Sequence, residues 1–219
     1  ISDTPIDTTL IWVGTDDGNV QVTRNNGDSW ENVKNNIDGV PEKIWVSRVE
    51  ASKHSKGRAY VSFDNHRFDD NKPYVFITED YGKTWSNISS NLPQDYSVYV
   101  IKEDYVDENL LFVGTEKSVY FSNDRGTTWE KLGSNLPTVA IHDLVIHPRD
   151  GDLVAGTHGR SIWILDDISP LRFLNEKEDN LLPTRISTKW VKINTGRKLP
   201  FFEFRGENPP YGTLINFFC

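Results

Sequence analysis

The sequence predicts an all-β protein: a partial β-propeller of about four four-stranded blades, followed by the start of a second β-domain. Three observations predict it. One turn motif, Ser/Thr-x-Asp/Asn-x-Gly-x-x-Trp, occurs at Thr23–Trp30, Thr78–Trp85 and Ser122–Trp129. The copies start 55 and then 44 residues apart, the interval of stacked supersecondary units. Each copy lies among short apolar strands at even spacing, and four such strands per unit make a propeller blade.

The turn motif, here called the box, has a physical logic. The acid or amide and the Ser/Thr hydroxyl can bond backbone N–H groups of their own turn. The Gly can take positive φ, and the Trp offers a large apolar face to begin the next strand and close the hairpin. Thr23, Asn25, Gly27 and Trp30 fill these roles in the first box. Thr78, Asp80, Gly82 and Trp85 fill them in the second, and Ser122, Asp124, Gly126 and Trp129 in the third. The box is a fold signal, its carboxylate committed to amides rather than to catalysis.

The strands of each unit are lettered A to D. Residues 1–33 supply B, C and D of the first blade, with Ile1 read as the end of its A strand. Residues 44–88 are the second blade and 97–132 the third. Residues 138–167 are a fourth blade with A, B and C only: Ile162–Asp167 stands where its box should fall, and no box Gly follows. Its missing strand is expected from elsewhere in a longer protein, and 1–167 reads as an arc of a larger propeller. Residues 168–199 read as linker and return strand, with one or two helical turns in Ser169–Asn180 and a strand in Leu181–Asn194. Residues 200–219 read as the opening hairpin of a β-sandwich-like domain around Arg205–Pro210.

Composition narrows the function. With 219 residues, 37% of them apolar, the chain can bury a sizeable core. Net charge is −8 and no Lys/Arg stripe appears, so a nucleic-acid partner is not expected. No apolar run approaches the roughly 18 residues of a membrane helix. Cys219 is the single cysteine, so no internal disulfide can form. The chain has no Met, opens inside a strand pattern and ends in an apolar run, the profile expected of part of a longer chain or assembly. Asn87-Ile88-Ser89 is a glycosylation sequon.

The boxes, with Val13–Gly18, Asp64–Asp70, Gly114–Glu116, His142–Leu144, Gly156–Asp167 and Asn208–Gly212, carry a family resemblance. The chain resembles the sortilin-like Asp-box (BNR-repeat) propellers of large exported bacterial proteins, often labelled glycosyl hydrolases. The resemblance implies the end of a propeller region with a β-sandwich-like domain after the Asn-Pro-Pro segment. It implies secretion or location in the cell envelope. Asn25 departs from the Asp of the box.

Strand alternation puts the B–C loops on the face opposite the box turns, and loops on a rigid scaffold are where sites sit. The candidate rim ligand site is Asp64, Asn65, His66, Arg67, Asp69, Asp70, Glu116, His158 and Arg160. The competing reading is a network bracing adjacent blades, with His158 and Arg160 closing onto Asp166 or Asp167. The loop lacks EF-hand spacing, His142 and His147 point to opposite faces of one strand, and no cofactor or metal is expected. Two function classes remain. The favoured one is a non-catalytic module binding a protein, peptide or glycan. The alternative is a glycoside hydrolase of xyloglucanase or sialidase type, working through two carboxylates. The arginine cluster a sialidase needs is not evident.

Overall fold

The structure is a computed structural model that describes residues 1–133, 135–174, 181–186 and 212–217. Residues Ile1–Asn175 form one compact unit, and Glu176–Cys219 form a second.

The first unit holds four antiparallel sheets, each from consecutive strands. Blade I is β1 (Ser2–Thr4), β2 (Asp7–Gly14), β3 (Val20–Thr23) and β4 (Glu31–Asn32). Blade II is β5 (Trp45–Ala51), β6 (Ala59–Asn65), β7 (Asp70–Thr78) and β8 (Ser86–Asn87). Blade III is β9 (Val98–Glu103), β10 (Leu111–Thr115), β11 (Val119–Ser122) and β12 (Glu130–Lys131). Blade IV is β13 (Ile141–Ile146), β14 (Leu153–Thr157) and β15 (Ile162–Leu165), with no fourth strand among the described residues. The first A strand is therefore Ser2–Thr4, not Ile1, which is 92% exposed. The outer strands begin one residue after the box Trp, not at it.

The core lies between blades, in three layers. Leu10, Trp12, Val20 and Val22 of blade I meet Val49, Val61, Phe63 and Phe76 of blade II. Tyr60, Val75 and Ile77 of blade II meet Ile101, Leu111 and Val113 of blade III. Val100, Phe112 and Phe121 of blade III meet Ile141, Leu144 and Ala155 of blade IV. Every residue of β6 and β10 is buried. Side chains alternate across a strand, so each of these strands feeds two layers. Leu111–Val113 of β10 is accordingly an apolar run, whereas β6 also buries Ser62, Asp64 and Asn65.

Two glycines make the layers close. A Cβ on Gly14 would lie 2.3 Å from Val46 Cγ1, and one on Gly114 would lie 2.8 Å from the Ile141 carbonyl. On Gly156, the same position in blade IV, a Cβ would meet nothing nearer than 3.7 Å.

The compact unit runs past residue 167. Ile168 is buried in the blade III–IV layer, and Ser169–Phe173 is a 3-10 turn. Arg172 donates to both oxygens of fully buried Asp104, at 2.7 and 3.0 Å. In the second unit Leu181 pairs with Phe217, and the Leu182 N–H donates to Asn216 O at 2.9 Å. The hairpin expected around Arg205–Pro210 and most of the return strand lie outside the described residues.

Candidate functional site: the B–C rim

The box turns engage the Asp80 and Asp124 carboxylates. In the second box Asp80 Oδ1 accepts from the Thr84 N–H at 2.9 Å and from Thr78 Oγ1 at 2.9 Å. Its Oδ2 accepts from Thr84 Oγ1 at 2.7 Å, and the Gly82 N–H donates to Thr78 Oγ1 at 2.9 Å. Asp124, with Ser122, Gly126 and Thr128, repeats this at 2.6–2.8 Å. In both, burial works to raise the carboxyl value. The Thr N–H and hydroxyl bonds outweigh it and hold both below the ordinary range. In the first box the Ser29 N–H donates to Asn25 Oδ1 at 3.0 Å, and Asn25 Nδ2 donates to Ser29 Oγ at 2.9 Å. Each box has two successive left-handed residues, Asn26-Gly27, Tyr81-Gly82 and Arg125-Gly126.

The box Trp side chains reach the preceding blade rather than closing only their own hairpin. Trp129 Nε1 donates to Ile88 O of blade II at 2.7 Å. Trp85 packs edge-on against Trp12 of blade I, 6.0 Å between centroids. Trp30, in blade I, is 43% exposed.

On the opposite face the rim residues divide into three groups. The first is structural. Asp64 is buried and holds its own loop, accepting the His66 N–H at 3.1 Å and pairing with His66 Nδ1 at 2.6 Å. Asp70 accepts from Asn65 Nδ2 at 3.0 Å, Tyr74 OH at 2.7 Å and the Lys72 N–H. Burial works against this charge, and those bonds still hold the Asp70 carboxyl below its usual value. Burial and the Asp70 bond push Tyr74 up to about 12.

The second group is a row of rings. Arg67 lies over Trp45 at 3.5 Å, and Trp45 meets His66 edge-on at 6.4 Å. His66 meets Tyr99 at 6.2 Å, Tyr99 stacks on His142 at 4.7 Å, and His142 lies 5.2 Å from His158. The row crosses blades II, III and IV. Tyr99 is pushed up to about 12 by burial, with the charges of Asp64 and Glu116 adding. Trp45 and Tyr99 carry no sequence motif, and His142 belongs to the His142–Leu144 segment of the family resemblance. Tyr99 and His142 are extra residues of β-bulges in β9 and β13, where Val98 and Val100 pair with Thr115 and Gly114, and Ile141 and Asp143 with Thr157 and Gly156. Ser47 is the matching extra residue in β5. A bulge re-aims a side chain, and no local pattern in the sequence marks these.

The third group is Asp69, Glu116 and Arg160. Among the described residues their charged ends make no hydrogen bond or ion pair. The expected closure of Arg160 onto Asp166 or Asp167 is not what forms: Asp167 Oδ1 accepts from the Ser169 N–H and hydroxyl, and Arg160 engages through its backbone. Among the described residues no group of three or more His, Cys, Asp or Glu is arranged to hold a metal, and no helix is long and apolar enough to cross a membrane.

Residues 73–179 match the Sortilin-Vps10 family (Sortilin, neurotensin receptor 3). The chain has a sortilin-like β-propeller fold. Solved structures similar to it include the GH74 xyloglucanase from Xanthomonas campestris, with a TM-score of 0.57, 14% identity, and coverage of 75% of this chain and 28% of that one. YCF48 bound to D1 peptide has a TM-score of 0.53 and 21% identity, covering 75% of this chain and 49% of that one. The GH74 enzyme of Niastella koreensis has a TM-score of 0.54 and 11% identity, covering 75% and 22%. At these identities the likeness is one of fold, and the chain spans half or less of each structure's length. No curated protein matches the sequence.

Proposed function

We propose that the sortilin-like propeller is a non-catalytic binding module of an exported protein, whose B–C rim recognises a protein, peptide or glycan. One observation carries the reading. Asp69, Glu116 and Arg160 come from three blades and are uncommitted; Asp69 and Arg160 follow His66 and His158 of the ring row within three residues, and the Glu116 charge acts on Tyr99, whereas Asp64, Asp70, Asp80 and Asp124 are committed to their own turns. Mixed charge beside aromatic faces suits a polar polymer with its own rings or pyranose faces. The peptide held by YCF48 supports the same use of the fold. The second reading, a glycoside hydrolase, is favoured by the GH74 neighbours and by two carboxylates, Asp64 and Glu116, near the Tyr99 hydroxyl.

Peptide and glycan arrays, with xyloglucan, other β-glucans and sialosides assayed for turnover, separate the two. The triple variant Asp69→Ala, Glu116→Ala, Arg160→Ala is expected to lose binding with a melting shift of only a few degrees. Turnover abolished by Asp64→Asn or Glu116→Gln would overturn binding in favour of hydrolysis.

A further inference from the structure

We propose that His142 and His158 form a binding site for a divalent transition-metal ion at the rim of blade IV. His142 is the bulged residue of β13, and His158 follows β14, where its N–H donates to Ala140 O at 2.9 Å. The bulge in β13 and the loop that leaves β14 bring the two imidazoles together, centroids 5.2 Å apart and planes tilted by 38°. Zinc bonds an imidazole nitrogen at about 2.0–2.1 Å, so two rings sharing one tetrahedral ion have centroids about 5 Å apart. The observed separation meets that requirement.

The other three histidines have a ring nitrogen engaged. His54 Nε2 bonds Asp104 O at 2.8 Å, His66 Nδ1 pairs with Asp64, and His147 Nδ1 lies 3.1 Å from Asp150. Among the described residues neither ring of the His142–His158 pair has a hydrogen-bonded nitrogen, and both side chains are exposed. The orientation of the His142 ring is nonetheless set from outside. Tyr99 lies flat on His142, 8° from parallel, and is braced edge-on by His66, which Asp64 anchors. Stacking fixes the plane of the His142 ring, and the nitrogen that does not bind the metal is left to solvent. Imidazole suits zinc, nickel and copper rather than magnesium or calcium. No third protein donor joins the pair among the described residues, so water or a donor from a bound partner completes the coordination.

The test uses the metal alone and so is independent of the rim-binding reading. Zinc and nickel chlorides are titrated into the full chain, with calorimetry and histidine ring NMR as readouts. A single ion per chain is expected, with shifts confined to the His142 and His158 rings. His142→Ala and His158→Ala should each abolish it, and His147→Ala should leave it intact. Tyr99→Ala should weaken it about tenfold, and Tyr99→Phe should not, because a ring still covers His142. Circular dichroism checks that each variant is folded. Absence of heat and of ring shifts at millimolar zinc would overturn the proposal. So would binding that survives loss of either histidine, or that is lost in His147→Ala.

Discussion

At the residue scale Asn25 is the instructive position. An amide can replace the box carboxylate because one bond reverses: Asp80 Oδ2 accepts from a Thr hydroxyl, whereas Asn25 Nδ2 donates to the Ser29 hydroxyl. Both turns are satisfied, but bonds to a carboxylate are the stronger. Asp80→Ala and Asp124→Ala should each cost about 1–3 kcal/mol, because backbone N–H groups lose their acceptor. Asn25→Ala should cost less. Thermal melts of the three variants check the order, and Asn25→Ala as the worst would contradict it. The same carboxylates give a pH dependence. Their folded values lie below the ordinary one, so the contribution is present above the unfolded value of about 3.9. It is lost as pH falls through the lowered folded values. Asp80→Asn and Asp124→Asn should flatten the acid limb of the stability profile.

At the scale of elements the spacing between sheets is set by what is missing from them. Gly114 lets Val100 and Ile141 close over it, and the box glycines Gly82 and Gly126 let Val33 and Ile88 of the preceding blade approach to about the same limit. Gly114→Ala should therefore cost about 1–3 kcal/mol through overpacking. Gly156→Ala sits at the equivalent place, where a Cβ meets Asp143 only at ordinary contact distance, and should lie within about 0.5 kcal/mol of the parent. Urea midpoints of the two variants measure the difference, and equal destabilisation would refute the role given to the neighbouring blade. The bulges act in the opposite sense, adding a residue to an inner strand and turning Tyr99 and His142 into the rim.

At the scale of the whole molecule the layers lie between successive blades, so each sheet offers two faces and blade IV has one uncovered. Val145, Val154 and Ile164 lie in one cross-strand row, with Ile162 beside it, and Ile162 and Ile164 are 67% and 60% exposed. The outer edge of β15 has no partner strand among the described residues. An apolar face beside an open edge invites pairing with another chain. The chain alone is expected to associate with rising concentration, and Ile164→Lys should shift it toward monomer. Light scattering after size exclusion reads this, and a monodisperse parent across the range would refute it.

Blade number, strand order and box turns were legible in the sequence because they rest on local chemistry. A Ser/Thr, an Asp or Asn and a Gly at fixed offsets satisfy one another within one turn, and short apolar runs bounded by turn residues mark the strands between them. The long B–C loop between Asp64 and Asn71 was legible as a charged cluster for the same reason. Its partition was not. Asp64 and Asp70 hold their own loop, whereas Asp69, Glu116 and Arg160 are left uncommitted, and only partner distances in three dimensions separate the two sets. The ring row from Trp45 to His158 was also hidden. Its members lie up to 113 positions apart, and Tyr99 and His142 reach it only because a bulge breaks strand alternation. The sequence by itself determined which units form, because each is closed by bonds within a few residues. Tertiary structure alone decided what gathers at the rim, because that depends on which blades stand side by side.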